Sequence, residues 1–309
     1  MKILVLGAGA IGGYFGGRLA QAGQDVSFLV RPTRLASLRE HGLRIESDAG
    51  NYSGQVKAMT VQDIDPSYDL AILTCKAYDL PSAIEDIRPF LKSAGAILPL
   101  LNGLAHLPVL NQAFGTSRVL GGLAKIAVTL NPDGVIKHLN DWCYITYGEQ
   151  DGQSSERVSE LKAAFDQTSV LATISPNVMQ SMWEKIVHLS TLAGLTCLMR
   201  ANVGEIARTQ EGAALMLEFL QSNIGIATAE GYAPSENFLI DYRKLFSDTH
   251  SNYTASMLRD IERKGPTEAQ HVLGFMLEKA RHHGIDDRLH RIAYIHCQAY
   301  DQRRAAGRL

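Results

Sequence analysis

Gly7, Gly9 and Gly12 stand in the spacing G-x-G-x-x-G, with Gly16 and Gly17 one helical turn further on. That spacing suits a backbone that must turn tightly, come close to a pyrophosphate, and then open a helix whose first N–H groups face the phosphates. Alone the motif is weak. Here the apolar run KILVL (2–6) precedes it, and helical spacing through Ile11, Phe15 and Leu19 follows it. A strand before and a helix after give the glycines their meaning. Gly7, Gly9, Ala10, Ile11 and Gly12 are therefore expected to bind a dinucleotide. The next strand, QDVSFLV (24–30), ends at Arg31, with no Asp or Glu to read a ribose hydroxyl. An arginine there suits a 2′-phosphate, which favours NADP (NADPH) over NAD; the alternative is a solvated loop charge.

Two further polar residues end buried strands. DLAILTC runs into Lys76, and AILPLLNG ends with Asn102 and Gly103. In a doubly wound sheet, ligands bind outside the carboxyl ends of the strands. Both residues are expected to share the crevice of the glycine turn. A lysine inside the sheet would cost several kcal/mol unless paired. At the mouth, Lys76 either meets the negative charge of a dinucleotide or acidic substrate, or is a solvated lysine that ends the strand.

The elements that must position these residues follow from periodicity. The first strand, the glycine helix and QDVSFLV form a right-handed βαβ unit. RPTRLASLREHG reads as a helix closed by Gly42. LRIES and YSGQVKAM flank the turn signal DAGN as a hairpin. LPSAIEDIRPFLKSAG reads as one helix, and 118–148, with NPDG at 131–134, as antiparallel strands added to the sheet. SSERVSELKAAFDQ is a helix and VLATISP a last strand. After Pro176 the pattern is helical to the end. Strands first and helices afterwards predict an α/β, Rossmann-type doubly wound domain over 1–175 that binds NADP. An all-helical domain over 176–309 would serve substrate binding and dimerisation.

Hydrophobic residues make up 46% of the 309, charged residues 20%, and the net charge is -2. Nothing in this balance points to nucleic acid or a membrane surface. The N-terminal apolar stretch is too short for a signal peptide, and no run approaches the roughly 20 residues of a membrane span. Cys75, Cys143, Cys197 and Cys297 are widely spaced, as in a cytoplasmic protein with free thiols. His282 and His283 diverge on a helix. His106, His138, His271, His290 and His296 lack a Cys or acid at ligand spacing, so no metal site is expected. His271, three residues after Glu268, reads as a structural or surface histidine, the alternative being that it lines the cleft, and Trp183 reads as core rather than a stacking platform.

The motifs together resemble the ketopantoate reductases (2-dehydropantoate 2-reductases): GAGAIGGYFGGRLA, CKAYD (75–79), LNG (101–103), WEK (183–185) and SMLRDIERKGPTE (256–268). The resemblance covers nearly the whole chain. It implies NADPH-dependent reduction of a ketopantoate-like 2-keto acid to a 2-hydroxy acid, the chemistry of pantothenate biosynthesis. It implies Lys185 as general acid and Glu268 as the partner of its ammonium, with Ser256 on the substrate carboxylate. Asn102 would touch cofactor and substrate, Glu268 and Lys76 would also face the cofactor, and the slot would lie between the domains. A homodimer is common among such proteins. A lysine suits proton donation when burial or a nearby cation lowers its pKa toward neutrality.

One departure stands out. Members that reduce ketopantoate carry asparagine four and eight residues after the lysine, whereas this chain has Leu189 and Ala193. Both share a helix face with Lys185. Each lost hydrogen bond to a polyhydroxy substrate costs roughly 1–3 kcal/mol. These two positions therefore predict a more apolar pocket and point away from ketopantoate itself. Competing readings are a dehydrogenase acting on a 3-hydroxy acid and a non-catalytic NADPH-binding redox sensor.

Overall fold

The computed structural model describes residues 1–63 and 65–309. The chain divides into two compact units, Met1–Leu101 with His106–Val178, and Asn102–Ala105 with Met179–Leu309.

In the first unit, β1 (Ile3–Leu6) leads into α1 (Ala10–Gln21), β2 (Val26–Leu29) and α2 (Pro32–His41). Then come β3 (Leu43–Glu46), β4 (Tyr52–Gly54), β5 (Lys57–Met59), β6 (Tyr68–Leu73) and α3 (Leu80–Ile87). The rest is β7 (Leu91–Pro99), α4 (His106–Phe114), β8 (Leu120–Leu130), β9 (Val135–Glu149), α5 (Glu156–Phe165) and β10 (Leu171–Ile174). One sheet has the order β5-β2-β1-β6-β7, and all its pairings are parallel. The continuous apolar run of β1 has a simple cause: a parallel strand in mid-sheet is buried on both faces.

A second sheet, β10-β9-β3-β4 with β8 paired to β9, covers the other side of α1. The glycines of α1 make this double packing possible. A Cβ on Gly16 would lie 2.7 Å from Phe28, and one on Gly17 2.7 Å from Leu43, so neither position admits a side chain without movement. Phe15 and Phe28 are fully buried in the resulting core. Truncating such a residue to alanine costs about 3–5 kcal/mol.

Three expectations from periodicity need correction. YSGQVKAM is not one strand of a hairpin. Its first part, β4, pairs with β3, while Lys57–Met59 crosses to the parallel sheet beside β2. LKSAG does not continue the helix. The helix passes through a 3-10 turn at Arg88–Phe90, where Pro89 lacks an N–H, and Leu91 is already extended and paired with Tyr68. Arg118 then donates to the carbonyls of Lys92 and Gly95. The strands of 118–148 are antiparallel as expected, but they belong to the second sheet. The bridge Ile97–Val119 joins them to the first.

The second unit is helical: α6 (Val178–Met199), α7 (Val203–Ala207), α8 (Gly212–Ala229), α9 (Glu236–Ser247), α10 (Ser256–Glu262), α11 (Phe275–His282) and α12 (Arg288–Ala305). Local chemistry sets the starts. Asn202 and Glu205 form a capping box on α7, and Ser235 caps α9. Immediately before α11, residues Gln270–Gly274 form a π-helical turn.

Candidate active site

In the first unit, Gly7 turns the chain out of β1 at φ +91°, and its N–H donates to Leu29 at 2.9 Å. Thr74, just past β6, donates its hydroxyl to the carbonyl of Leu6 at 2.8 Å and so pins the turn. A Cβ on Gly12 would fall 2.2 Å from the Gly7 carbonyl oxygen, so this close approach demands glycine. Gly9 differs: nothing lies within 4 Å of its would-be Cβ, and its φ of -78° suits any residue. The protein's own packing does not need a glycine there, whereas a phosphate approaching the backbone does. Gly9 is also the N-cap of α1, without a side-chain cap and with no acid in the first turn. The N-terminal dipole and N–H groups of that helix thus suit an anion. The residues fit a dinucleotide.

Lys76 is partly buried and extended beyond β6, where it opens a 3-10 turn over Ala77–Asp79. Its placement past the strand end, rather than within the sheet, answers why a charge follows so apolar a run. Arg31 is exposed, and its Nη2 donates to Asp79 at 3.3 Å. Sequence reasoning missed Thr74 and Arg34. The Nε of Arg34 donates to the Ala8 carbonyl at 3.0 Å, which braces the turn from α2. Burial and the nearby Arg44 lower the Arg34 pKa. An arginine five residues past a strand end carries no distinctive signal.

In the second unit, Lys185 lies on α6 with its pKa lowered to about 8, because burial penalises the ammonium while the Glu268 carboxylate opposes the shift. Glu268 is buried, and its carbonyl accepts from His271 N at 3.0 Å. Burial lowers the His271 pKa as well, again against the charge of Glu268. His271 thus feels the same carboxylate charge as Lys185. Three-residue spacing from Glu268 was its sequence signal. The π turn distinguishes this place further, since such turns are frequent at functional sites.

Asn102 and Gly103 join the same unit. Gly103 has φ +87°, and its Cβ would lie 2.5 Å from the His271 carbonyl oxygen and 3.9 Å from Ile186. The LNG loop therefore seats on the π turn beside the lysine helix. Leu189 is partly buried and Ala193 buried on α6. Ser256 is exposed at the first residue of α10, whose N-cap is Ala255, so the serine is not that helix's cap. Trp183 is core: it stacks on Tyr232 at 5.6 Å.

A glycine turn shaped for a dinucleotide in one unit and a lysine of lowered pKa in a second, helical unit are features of a two-unit Rossmann-type oxidoreductase. Family models place it further. "Ketopantoate reductase PanE/ApbA" matches residues 3–152, and its C-terminal counterpart matches 177–301. The chain belongs to the ketopantoate reductase family. It is 34% identical over 303 residues to the "Uncharacterized oxidoreductase YkpB" of Bacillus subtilis, covering 97% of this chain and 99% of that protein. It is 26% identical to the 2-dehydropantoate 2-reductase of Mesorhizobium japonicum, with 91% and 92% covered. The crystal structure of 2-dehydropantoate 2-reductase from Geobacter metallireducens superposes with a TM-score of 0.88 at 27% identity, over 97% of this chain and 99% of that one. Among the described residues, no helix is long and apolar enough to cross a membrane.

Proposed function

We propose that the protein is an NADPH-dependent reductase of a 2-keto acid, with Lys185 as the general acid. A reduced nicotinamide, when bound, supplies the hydride. Gly7, Gly9 and Gly12, with the α1 N-terminus, hold the pyrophosphate, and Arg31 and Lys76 offer cations to the nucleotide. Lys185 gives a proton from Nζ to the carbonyl oxygen of the substrate. With a pKa of about 8 the ammonium is still the major form at neutral pH and yet gives up its proton readily. Glu268 holds the ammonium in place, Asn102 orients substrate and cofactor, and Ser256 binds the substrate carboxylate. The observation that carries this reading is Lys185 on α6, its pKa lowered to about 8 by burial against the charge of the buried Glu268.

Leu189 and Ala193 favour a keto acid with a less hydroxylated side chain than ketopantoate. Ile292 and Ile295, exposed three residues apart on α12, support a homodimer through the helical unit. The test follows the absorbance of reduced nicotinamide with NADPH and a panel of 2-keto acids. Turnover greatest on apolar side chains is expected. Silence across a broad panel, with NADPH still bound, would instead favour a sensor.

A further inference from the structure

The acid missing from the end of β2 is supplied in space by another strand. β1 lies between β2 and β6, so the carboxyl ends of β2 and β6 are about 10 Å apart, two strand spacings. Arg31 leaves β2 and Asp79 follows β6, yet their charged atoms meet at 3.3 Å. The pair therefore spans the end of β1, where the glycine turn stands. In dinucleotide folds an acid at this end accepts the 2′-hydroxyl of NAD, whereas an arginine accommodates the 2′-phosphate of NADP. This protein has both groups, one holding the other.

Asp79 is placed for this work rather than for capping. It occupies the N-cap position of α3, but its side chain makes no cap hydrogen bond. Pro81, in the first turn, has no N–H to offer it. The carboxylate turns to Arg31 instead. The two side chains are 80% and 36% exposed, so solvent weakens the pair and a ligand can exchange into it. Arg34, the next guanidinium along α2, is committed to the carbonyls of Ala8 and Gly134.

We propose that Asp79 makes the ribose end of the site a dual one, taking both NADPH and NADH. With NADH, Asp79 accepts a hydrogen bond from the 2′-hydroxyl while keeping Arg31. With NADPH, Arg31 moves to the 2′-phosphate, and Asp79 repels a group of charge about -2. The carboxylate thus subtracts from the preference that Arg31 alone would create. This rests on the dinucleotide reading above.

The test is fluorescence titration of the full chain with NADPH and with NADH, for wild type, Asp79→Asn and Arg31→Ala. Wild type is expected to bind both with Kd values within about tenfold of each other. Asp79→Asn should tighten NADPH and weaken NADH, moving their ratio by about tenfold, the size of one charged hydrogen bond. Arg31→Ala should weaken NADPH alone. An Asp79→Asn ratio equal to that of wild type, or NADH binding about a hundredfold weaker than NADPH in wild type, would overturn the proposal. Binding of neither nucleotide would instead bring down the dinucleotide reading itself.

Discussion

The glycine turn of the first unit and the surroundings of Lys185 in the second are built from different materials. The first is mostly backbone: a turn at positive φ, a helix N-terminus, and glycines whose missing side chains let strands and a carbonyl approach. The second is side-chain chemistry: an ammonium and a carboxylate partly withdrawn from water, beside a π turn. A backbone site tolerates change wherever no atom touches it and none where one does. A side-chain site depends on the electrostatic balance of a few groups. The two regions should therefore fail differently when altered.

The largest contrast should come from Lys185→Ala. Loss of a general acid is expected to lower kcat by roughly 10²–10⁴-fold while NADPH affinity holds, as steady-state rates and nucleotide titration would reveal. Equal loss of rate and binding would mean that the two regions are not separable.

The pH profile comes next. As the proposed proton donor, Lys185 would act only as ammonium, and its pKa is lowered to about 8. The group's charged form is present below that value and lost above it. The rate of the reductive step should fall about tenfold for each pH unit well above 8. A flat profile to pH 10 would remove Lys185 from proton donation.

A pair of glycine variants sharpens the other side. Gly12→Ala forces a Cβ to within 2.2 Å of a backbone oxygen, so it should lower Tm by several degrees and abolish nucleotide binding. Gly9→Ala meets no protein atom, so Tm should hold while NADPH binding weakens by about tenfold, which calorimetry and titration together would show. The smallest effect belongs to Leu189→Asn. It should improve kcat/KM for a hydroxylated keto acid over an apolar one by up to about tenfold. Ala193 is too buried to take the same change without overpacking.

The difference in material also explains what could be read from sequence. KILVL, DLAILTC and the glycine spacing announce a parallel sheet and its turn because burial on both faces and steric contact leave few residue choices. Lys185 and Glu268 carried no such signal in their own neighbourhood. They stood out only through resemblance across the chain, since an isolated lysine or glutamate on a helix is ordinarily a solvated charge. The split of YSGQVKAM between two sheets was hidden because alternation tells which face a residue takes, not which strand it will join. LKSAG was misread because helical spacing continued past Pro89, while pairing with Tyr68 decided the outcome. Asp79 reaches Arg31 only because two strand ends flank a third, and no local pattern encodes that.

The loop Asn102–Ala105 has a consequence for taking the molecule apart. It is made early in the chain, yet Gly103 presses on His271, more than half the chain away. A fragment beginning at 176 would lack its own four-residue wedge and expose the turn that the wedge covers. During synthesis, that early piece must wait for nearly the last helices before it finds its seat. Completing the helical half is thus a late, long-range event, and that half does not come from one uninterrupted stretch of chain.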